Sequence, residues 1–174
     1  MHGAEMNREK GFSLIELLIV VAIILVITAI AIPNFLRARI AANEASAVRG
    51  VREISTAETE YHTAYPQIGF ALDLVSLGGA LPCTPSAATA CILDGAVSSG
   101  TKSGYKLFAA GFASAGSPWR SDFVGSAAPH AYNQSGVRNF CIVSDGAVRE
   151  NAGAPGLPPA PTVSTCLTSY AVMQ

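Results

Sequence analysis

A long, nearly uninterrupted apolar segment near the start of the chain limits most strongly what this sequence can fold into. Residues 17–32 contain Thr28 as their one polar side chain, and residues 14–36 are almost wholly apolar. About 20 residues of α-helix, each adding about 1.5 Å, cross the ~30 Å hydrocarbon core of a bilayer. The segment is therefore predicted to be a membrane-spanning helix.

One acidic residue, Glu16, lies at the edge of this segment, at the end of the run KGFSLIE (residues 10–16). A carboxylate near the edge of a bilayer-length helix costs on the order of 1 to 3 kcal/mol unless a partner neutralises it. We therefore interpret Glu16 as a functional group, and we expect its partner to be cationic and close to the membrane.

This junction resembles the class III signal of type IV pilins and of the pseudopilins of type II secretion systems, over residues 8 to about 65. The resemblance implies that a prepilin peptidase cleaves after Gly11 and that the new N-terminal residue, Phe12, is N-methylated. It also implies that Glu16 pairs with the cationic Phe12 amine of a neighbouring subunit and so guides docking into a filament. Pro33 falls where many pilins have a proline, and a kink or local melting of the helix is expected there.

Two simpler readings of the apolar segment compete with this one. Residues 29–31 (Ala-Ile-Ala) match the small-residue cleavage pattern of a secretory signal, and cleavage there would release a protein beginning at Ile32. The apolar run, however, exceeds the roughly 7 to 15 residues of a signal core, and Glu16 would lie within it for no reason. A plain single-pass anchor accounts for the length but leaves Gly11 and Glu16 unexplained.

The patterning predicts an α+β protein, and the resemblance implies a pilin-like fold, in which a long N-terminal helix packs on a small antiparallel β-sheet head. The first half of the helix spans the membrane and the second half is amphipathic, with Val48, Val51, Ile54, Glu58, Tyr61 and Tyr65 at helical spacing. The chain is therefore expected to divide into five segments: a cleaved leader at residues 1–11, the transmembrane or filament-core half of the helix at 12–36, its amphipathic half at 37–65, a linking loop at 66–103, and a sheet with a disulfide-pinned C-terminal segment at 104–174.

Within these segments the local signals predict individual elements. A short helix is expected in residues 71–77, and strands at 105–112, 122–132, 137–144 and 147–150 give a sheet of three or four strands. Asp145-Gly146 is a hairpin signal between the last two strands. Residues 151–161 hold four prolines and are expected to be irregular.

The cysteines bear on both compartment and stability. All four follow the apolar segment, which favours an oxidising compartment outside the cytoplasm. Among the possible pairings we favour Cys83 with Cys91 and Cys141 with Cys166, the second of which would pin the C-terminal segment. Their spacing is not that of a CxxC metal site and no histidine lies close in sequence, so no metal site is predicted.

The sequence offers no catalytic constellation. Residues 95–103 (GAVSSGTKS) nearly form a phosphate-binding loop, but Thr101 separates the glycine from the lysine. His2, His62 and His130 have no acid and nucleophile partners at recognisable spacing. The net charge is −1 with scattered basic residues, so there is no electrostatic footprint for nucleic acid. We therefore predict a protein that is not an enzyme, has no cofactor and has no specific nucleic-acid partner.

By resemblance, the predicted function is that of a structural subunit of a type IV pilus filament, serving motility, adhesion or DNA uptake. The expected partners are identical or related pilin subunits in a helical homopolymer, the prepilin peptidase and methyltransferase, an inner-membrane assembly platform, and membrane lipid before assembly. The precursor is expected in the inner membrane with its leader in the cytoplasm and its head in the periplasm, and the mature subunit in an extracellular pilus.

A pseudopilin of a type II secretion system is the alternative. Cys141 and Cys166, and the lack of an acidic calcium-loop cluster near the C-terminus, favour a pilin over a pseudopilin. A membrane-anchored or secreted enzyme is a third possibility, and it would need a catalytic constellation that the sequence does not provide.

Overall fold

The computed structural model describes residues 11–173 and divides the chain into two compact units, Met1–Arg37 and Ala38–Gln174. Apart from Gly11, the predicted leader lies outside the described residues. Helix α1, Leu14–Ala64, begins in the first unit and ends in the second. It starts two residues later than predicted and ends one residue earlier, ahead of Pro66. The helix passes through Pro33 without interruption, so the local melting predicted there is not observed, while a kink stays a prediction.

The second unit, called the head below, contains the end of α1 and all the remaining elements. In chain order these are α2 (Leu74–Leu77), α3 (Gly95–Ser98), β1 (Thr101–Lys102), β2 (Tyr105–Ala113), β3 (Arg120–Pro129), β4 (Asn139–Val143), β5 (Arg149–Asn151), α4 (Val163–Ser169) and β6 (Ala171–Val172). Each short helix begins at a side-chain cap: Asp73 accepts from Ser76 N–H, Asp94 from Val97 N–H and Thr162 from Thr165 N–H.

The strands form one six-stranded antiparallel sheet in chain order, β1-β2-β3-β4-β5-β6. The register pairs Lys106 with Ala128 and Ala127 with Phe140. At one edge, β5 pairs with β6 through Glu150 and Ala171. The sequence prediction of a long helix packed on a small antiparallel sheet is therefore confirmed.

The head has three layers, because both faces of the central strands are covered. On one face, Phe123, Phe140 and Ile142 pack with Val51 and Ile54 of α1 in the main core. On the other face, a second buried cluster contains Val124, Cys141, Val143, Ala160, Cys166 and Tyr170, and so joins the sheet to the C-terminal segment. Alternate residues of a strand point to opposite faces, which explains why β4 is buried along its whole length.

A glycine on β3 permits the close approach of α1 to the sheet. A Cβ atom placed on Gly125 would lie 2.9 Å from Cγ2 of Ile54 and 3.2 Å from Cγ2 of Ile142, closer than carbon atoms normally pack. Any side chain at this position would push the helix away from the sheet.

The predicted number of strands is wrong: the sheet has six, not three or four. The missed strands β1 and β6 have two residues each, too few for any periodic pattern to show, and they exist because their neighbours pair with them. The predicted linking loop contains α2, α3 and β1, and its helix covers only Leu74–Leu77 of residues 71–77. Helix α4 was not predicted either.

The turn signals have mixed outcomes. Asp145 and Gly146 do lie between β4 and β5, although the connection covers residues 144–148 and is longer than a two-residue hairpin. The tight hairpin lies instead between β1 and β2, where Ser103 and Gly104 have φ values of 49° and 73°. Two successive positive φ values are typical of a type I′ turn.

Candidate functional site

The first part of α1 is apolar on every side and uncovered. All of residues 11–36 are exposed except the half-buried Thr28, and Leu14 and Ile30 are 76% and 67% exposed. Among the described residues, α1 is the one helix whose length and composition suffice to cross a membrane. A helix that is hydrophobic all round needs lipid or other protein around it.

At the start of this helix, Glu16 already has a local role. The Ser13 backbone N–H donates to Glu16 Oε2 at 3.0 Å, and Leu17 N–H donates to the Ser13 carbonyl at 3.3 Å. Ser-x-x-Glu is the spacing of a capping box, in which a carboxylate satisfies an N–H group that the helix leaves free. Among residues 11–173 the second carboxylate oxygen, Oε1, accepts no hydrogen bond, so Glu16 keeps one oxygen for another partner.

The two residues that flank the predicted cleavage site are open to solvent. Phe12 is 78% exposed, and a Cβ atom on Gly11 would meet no atom of the described residues within 4 Å. Packing within the described chain therefore does not require a glycine at position 11. A requirement for glycine there would come from the enzyme that cuts the bond.

In the head, Glu44 on α1 holds the segment that leads into β4. Its Oε1 accepts the backbone N–H groups of Val137 and Arg138 at 3.0 and 3.1 Å, and its Oε2 accepts Nε and Nη2 of Arg138 at 3.0 and 2.7 Å. Arg138 also donates to Glu150 at 2.6 Å. Burial alone would raise the pKa of Glu44, but the Arg138 side chain and the two backbone donors outweigh it and lower that pKa.

We expect Glu44→Gln to lower the free energy of unfolding of the head by about 2 kcal/mol, because an amide cannot replace a carboxylate facing a guanidinium group. Chemical unfolding of the full chain in maltoside micelles measures this. The matched control is Glu53→Gln on the same helix, whose more exposed carboxylate pairs with Lys102 at 2.8 Å, and this change should cost less than about 1 kcal/mol. Equal losses in the two variants would contradict the special role of Glu44.

A second acid on α1, Glu58, is fully buried in the head. Its Oε2 accepts the Ala71 backbone N–H at 2.7 Å, while the buried Oε1 has no hydrogen-bond partner among residues 11–173. Burial raises the pKa of Glu58 to about 8, against the smaller opposing effects of the Ala71 hydrogen bond and the Arg120 charge. The carboxyl group of Glu58 is therefore mostly protonated and uncharged at neutral pH. Through its hydrogen bond with Ala71 it connects α1 to the segment before α2.

The cysteines form the pairs that the sequence favoured. Cys83 is bonded to Cys91 beside α2, and Cys141 of β4 is bonded to Cys166 of α4. The second bridge joins residues 25 positions apart, and in the chain-entropy model closing such a loop contributes about 3 kcal/mol. It fixes α4 on the face of the sheet opposite α1.

Sequence reasoning missed Glu44 as a structural anchor and did not recognise Glu58 as a buried acid. A signal for both was present, because residues 44, 47, 51, 54, 58 and 61 follow one another at spacings of three and four, and all are buried in the head. An acid on the apolar stripe of an amphipathic helix indicates a buried partner. No such signal pointed to Arg138, which is far from Glu44 in sequence.

The chain thus combines an apolar helix that begins with a capping glutamate and a disulfide-pinned head with one antiparallel sheet, which is a pilin-like α+β architecture. The family model for the prokaryotic N-terminal methylation motif matches residues 6–32. The particular similarity is to type IV pilins, and together with this motif it supports a type IV pilin with a prepilin signal.

Two curated relatives carry that similarity. The type IV major pilin protein PilA of Myxococcus xanthus is 43% identical over 54 residues, which are 31% of this chain and 24% of the relative. The type IV wide pilus major component PilA4 of Thermus thermophilus is 59% identical over 39 residues, 22% of this chain and 30% of the relative. The chain thus matches less than a third of the length of either relative. No solved structure matches significantly.

Proposed function

We propose that this protein is a subunit of a type IV pilus, made as a single-pass inner-membrane precursor and polymerised after processing. The observation that carries the proposal is the uncovered apolar helix of residues 14–36, which lies within or directly after the matched methylation motif. In the precursor, lipid would cover this surface. In the filament, the same surface would be covered by the helices of neighbouring subunits.

In this proposal the N-terminal residues are first processed and then pair with neighbouring subunits during assembly. Cleavage after Gly11 by a prepilin peptidase frees the Phe12 amine, which is then methylated and remains cationic. That amine is the charge partner for Glu16 of a neighbouring subunit. The free Oε1 of Glu16 and the exposure of Phe12 support this pairing, which sets the register between adjacent helices. The proposed role is structural, and both relatives are named as pilus components.

Gly11→Asp is expected to block cleavage of the precursor, because a peptidase that recognises a glycine cannot seat a charged side chain at the cut bond. The intact mass of the purified protein would then keep the leader, and no filaments would form. The control is Ser13→Ala, which changes a residue on the other side of the cleavage site and should be processed normally. A Gly11→Asp protein with the mature mass would refute the assignment of the cleavage site.

The proposed function is tested by intact mass spectrometry of sheared cell-surface material from the native host, combined with electron microscopy. We expect fibres whose subunit begins at N-methylated Phe12. The same mass confined to the cell envelope would contradict a surface pilus and favour a pseudopilin. A chain that begins at Ile32 would overturn the filament assignment and indicate a secreted protein.

A further inference from the structure

A cleft in the head lies between the first turns of its α1 segment, the β1–β2 hairpin and the loop after β3. It has a volume of about 460 Å³ and is lined on the helix side by Arg39 and Asn43, and on the opposite side by Ser103, His130 and Gln134, among others. Volumes in this range are typical of sites for small ligands. We call it the Arg39 cleft.

The charge of the Arg39 cleft has one sign. The nine lining residues within the described part of the chain include Arg39 and His130 but no aspartate or glutamate. A comparable cleft further along α1 also contains two arginines, Arg49 and Arg52, but there Glu53, Glu60 and Asp94 line the same space. The Arg39 cleft is thus suited to an anion, while the positive charges of this second cleft are compensated by its own acids.

The donors of the Arg39 cleft are only partly used within the head. Arg39 has no ion-pair or hydrogen-bond partner among residues 11–173, in contrast to Arg138 and Arg149, which bind carboxylates. Asn43 gives one amide hydrogen to the Ser135 carbonyl at 2.9 Å and keeps the other. An imidazole ring offers an N–H donor in either charge state, so His130 adds a donor. A guanidinium group beside amide and imidazole donors is a typical arrangement for binding phosphate.

The position of Arg39 in the chain limits where this cleft can lie. The apolar segment ends at Leu36, and three residues reach at most about 11 Å in any conformation. The polar layer of a bilayer is roughly 5 to 7 Å thick on each side. While the apolar segment spans the membrane, Arg39 therefore lies at or just beyond the headgroups.

We propose that the Arg39 cleft binds a phosphate group, supplied by an anionic phospholipid headgroup while the subunit is in the membrane. The site would hold the base of the head against the bilayer surface and would be vacated when the subunit leaves lipid for the filament. The inference rests on the membrane stage of the proposed function.

The test uses the full chain, labelled with ¹⁵N, in dodecyl maltoside micelles, which contain no phosphate. Dihexanoyl-phosphatidylglycerol is titrated while the backbone amide signals of Gly104 and Ala131 are followed, with Gly146 in the distant β4–β5 turn as an internal reference. We expect saturable shifts at the two cleft residues and none at Gly146. Arg39→Gln should weaken binding about tenfold or more, because a charge-assisted contact is lost.

The matched control is Arg37→Gln, which removes the same charge two residues earlier from a side chain that does not line the cleft. It should keep the wild-type affinity, and His130→Gln should weaken binding without changing the rest of the spectrum. Equal losses in the Arg37 and Arg39 variants, or shifts that do not saturate, would overturn the site in favour of diffuse surface charge. If inorganic phosphate binds as tightly as the lipid, the lipid source is wrong. Because this titration needs no filament, a failure to bind the lipid can be distinguished from a failure of the proposed filament assembly.

Discussion

Glu16→Gln is expected to abolish surface filaments while leaving leader removal and N-methylation intact. Glutamine still accepts the Ser13 N–H, so the helix cap survives, but the variant loses the negative charge that the Phe12 amine of a neighbouring subunit would neutralise. Losing an ion pair at the edge of an apolar helical segment costs about 1 to 3 kcal/mol of binding free energy per contact between subunits. Every 1.4 kcal/mol is about tenfold in affinity, and the loss recurs at each added subunit. Intact mass and the yield of sheared fibres measure the two effects.

Two further variants separate the charge of Glu16 from its capping role. Glu16→Ala removes both and is expected to assemble no better than Glu16→Gln. Thr28→Ala is the matched control in the same segment, since the Thr28 hydroxyl only donates back to the Leu25 carbonyl at 3.1 Å, and it should assemble normally. Normal fibres from Glu16→Gln but not from Glu16→Ala would show that the residue acts as a cap, and the proposed pairing would be wrong.

The head is expected to lose stability as the pH rises from about 4.5 to about 8, because Glu58 must give up its proton. The ordinary pKa of a glutamate carboxyl is about 4.5, whereas burial raises the pKa of Glu58 in the folded protein to about 8. Between these values the folded state binds more protons than the unfolded state, so the free energy of unfolding falls with rising pH. The contribution is fully present below pH 4.5 and is lost by about pH 8. Its size is on the order of a few kcal/mol.

The charged groups around Glu58 modify this effect without reversing it. Arg120 of β3 favours the ionised carboxylate, while Asp73, which precedes α2, opposes it. Tyr61, one turn further along α1, has a raised pKa and stays neutral in this range. Glu44 and Asp145 have lowered pKa values, so they titrate below the window in which Glu58 acts.

Glu58→Gln should remove most of the pH dependence between about pH 5 and 8, so the variant gains stability relative to the wild type as the pH rises. The measurement is urea unfolding of the full chain in maltoside micelles at several pH values, followed by near-ultraviolet circular dichroism of the buried tyrosines. Glu60→Gln, an exposed acid two residues along the same helix, is the control and should keep the wild-type slope. Parallel curves for wild type and Glu58→Gln would contradict a protonated Glu58.

The helix was predictable to within two residues at each end because its causes are local. A continuous apolar run, a Ser13–Glu16 cap and Pro66 after the last turn define it without reference to the rest of the chain. The central strands β2, β3 and β4 were predictable for a similar reason, since each is long enough to show a strand pattern. Their predicted ends differ from the observed ones by up to three residues, because pairing with neighbours fixes where a strand stops.

The motif residues Gly11, Phe12 and Glu16 are a different case, since their predicted roles come from resemblance and concern partners outside this chain. The structure gives each a location, and the predicted cleavage, methylation and pairing stay predictions. Glu58 is an intermediate case. Its place on the apolar stripe could be predicted from the sequence, but the hydrogen bond from Ala71 and the burial of its other oxygen depend on the tertiary structure.

The sequence by itself determined the apolar helix, the prepilin motif, the α+β class and the favoured cysteine pairs, because each depends on composition, spacing or short-range order. Only the tertiary structure decided the two edge strands, the covering of both sheet faces, the Glu44–Arg138 anchor and the Arg39 cleft. These features bring together residues that are distant in sequence: Glu44 binds Arg138, and Arg39 and His130 line one cleft. Such proximity arises only once the strands have paired and packed against the helix.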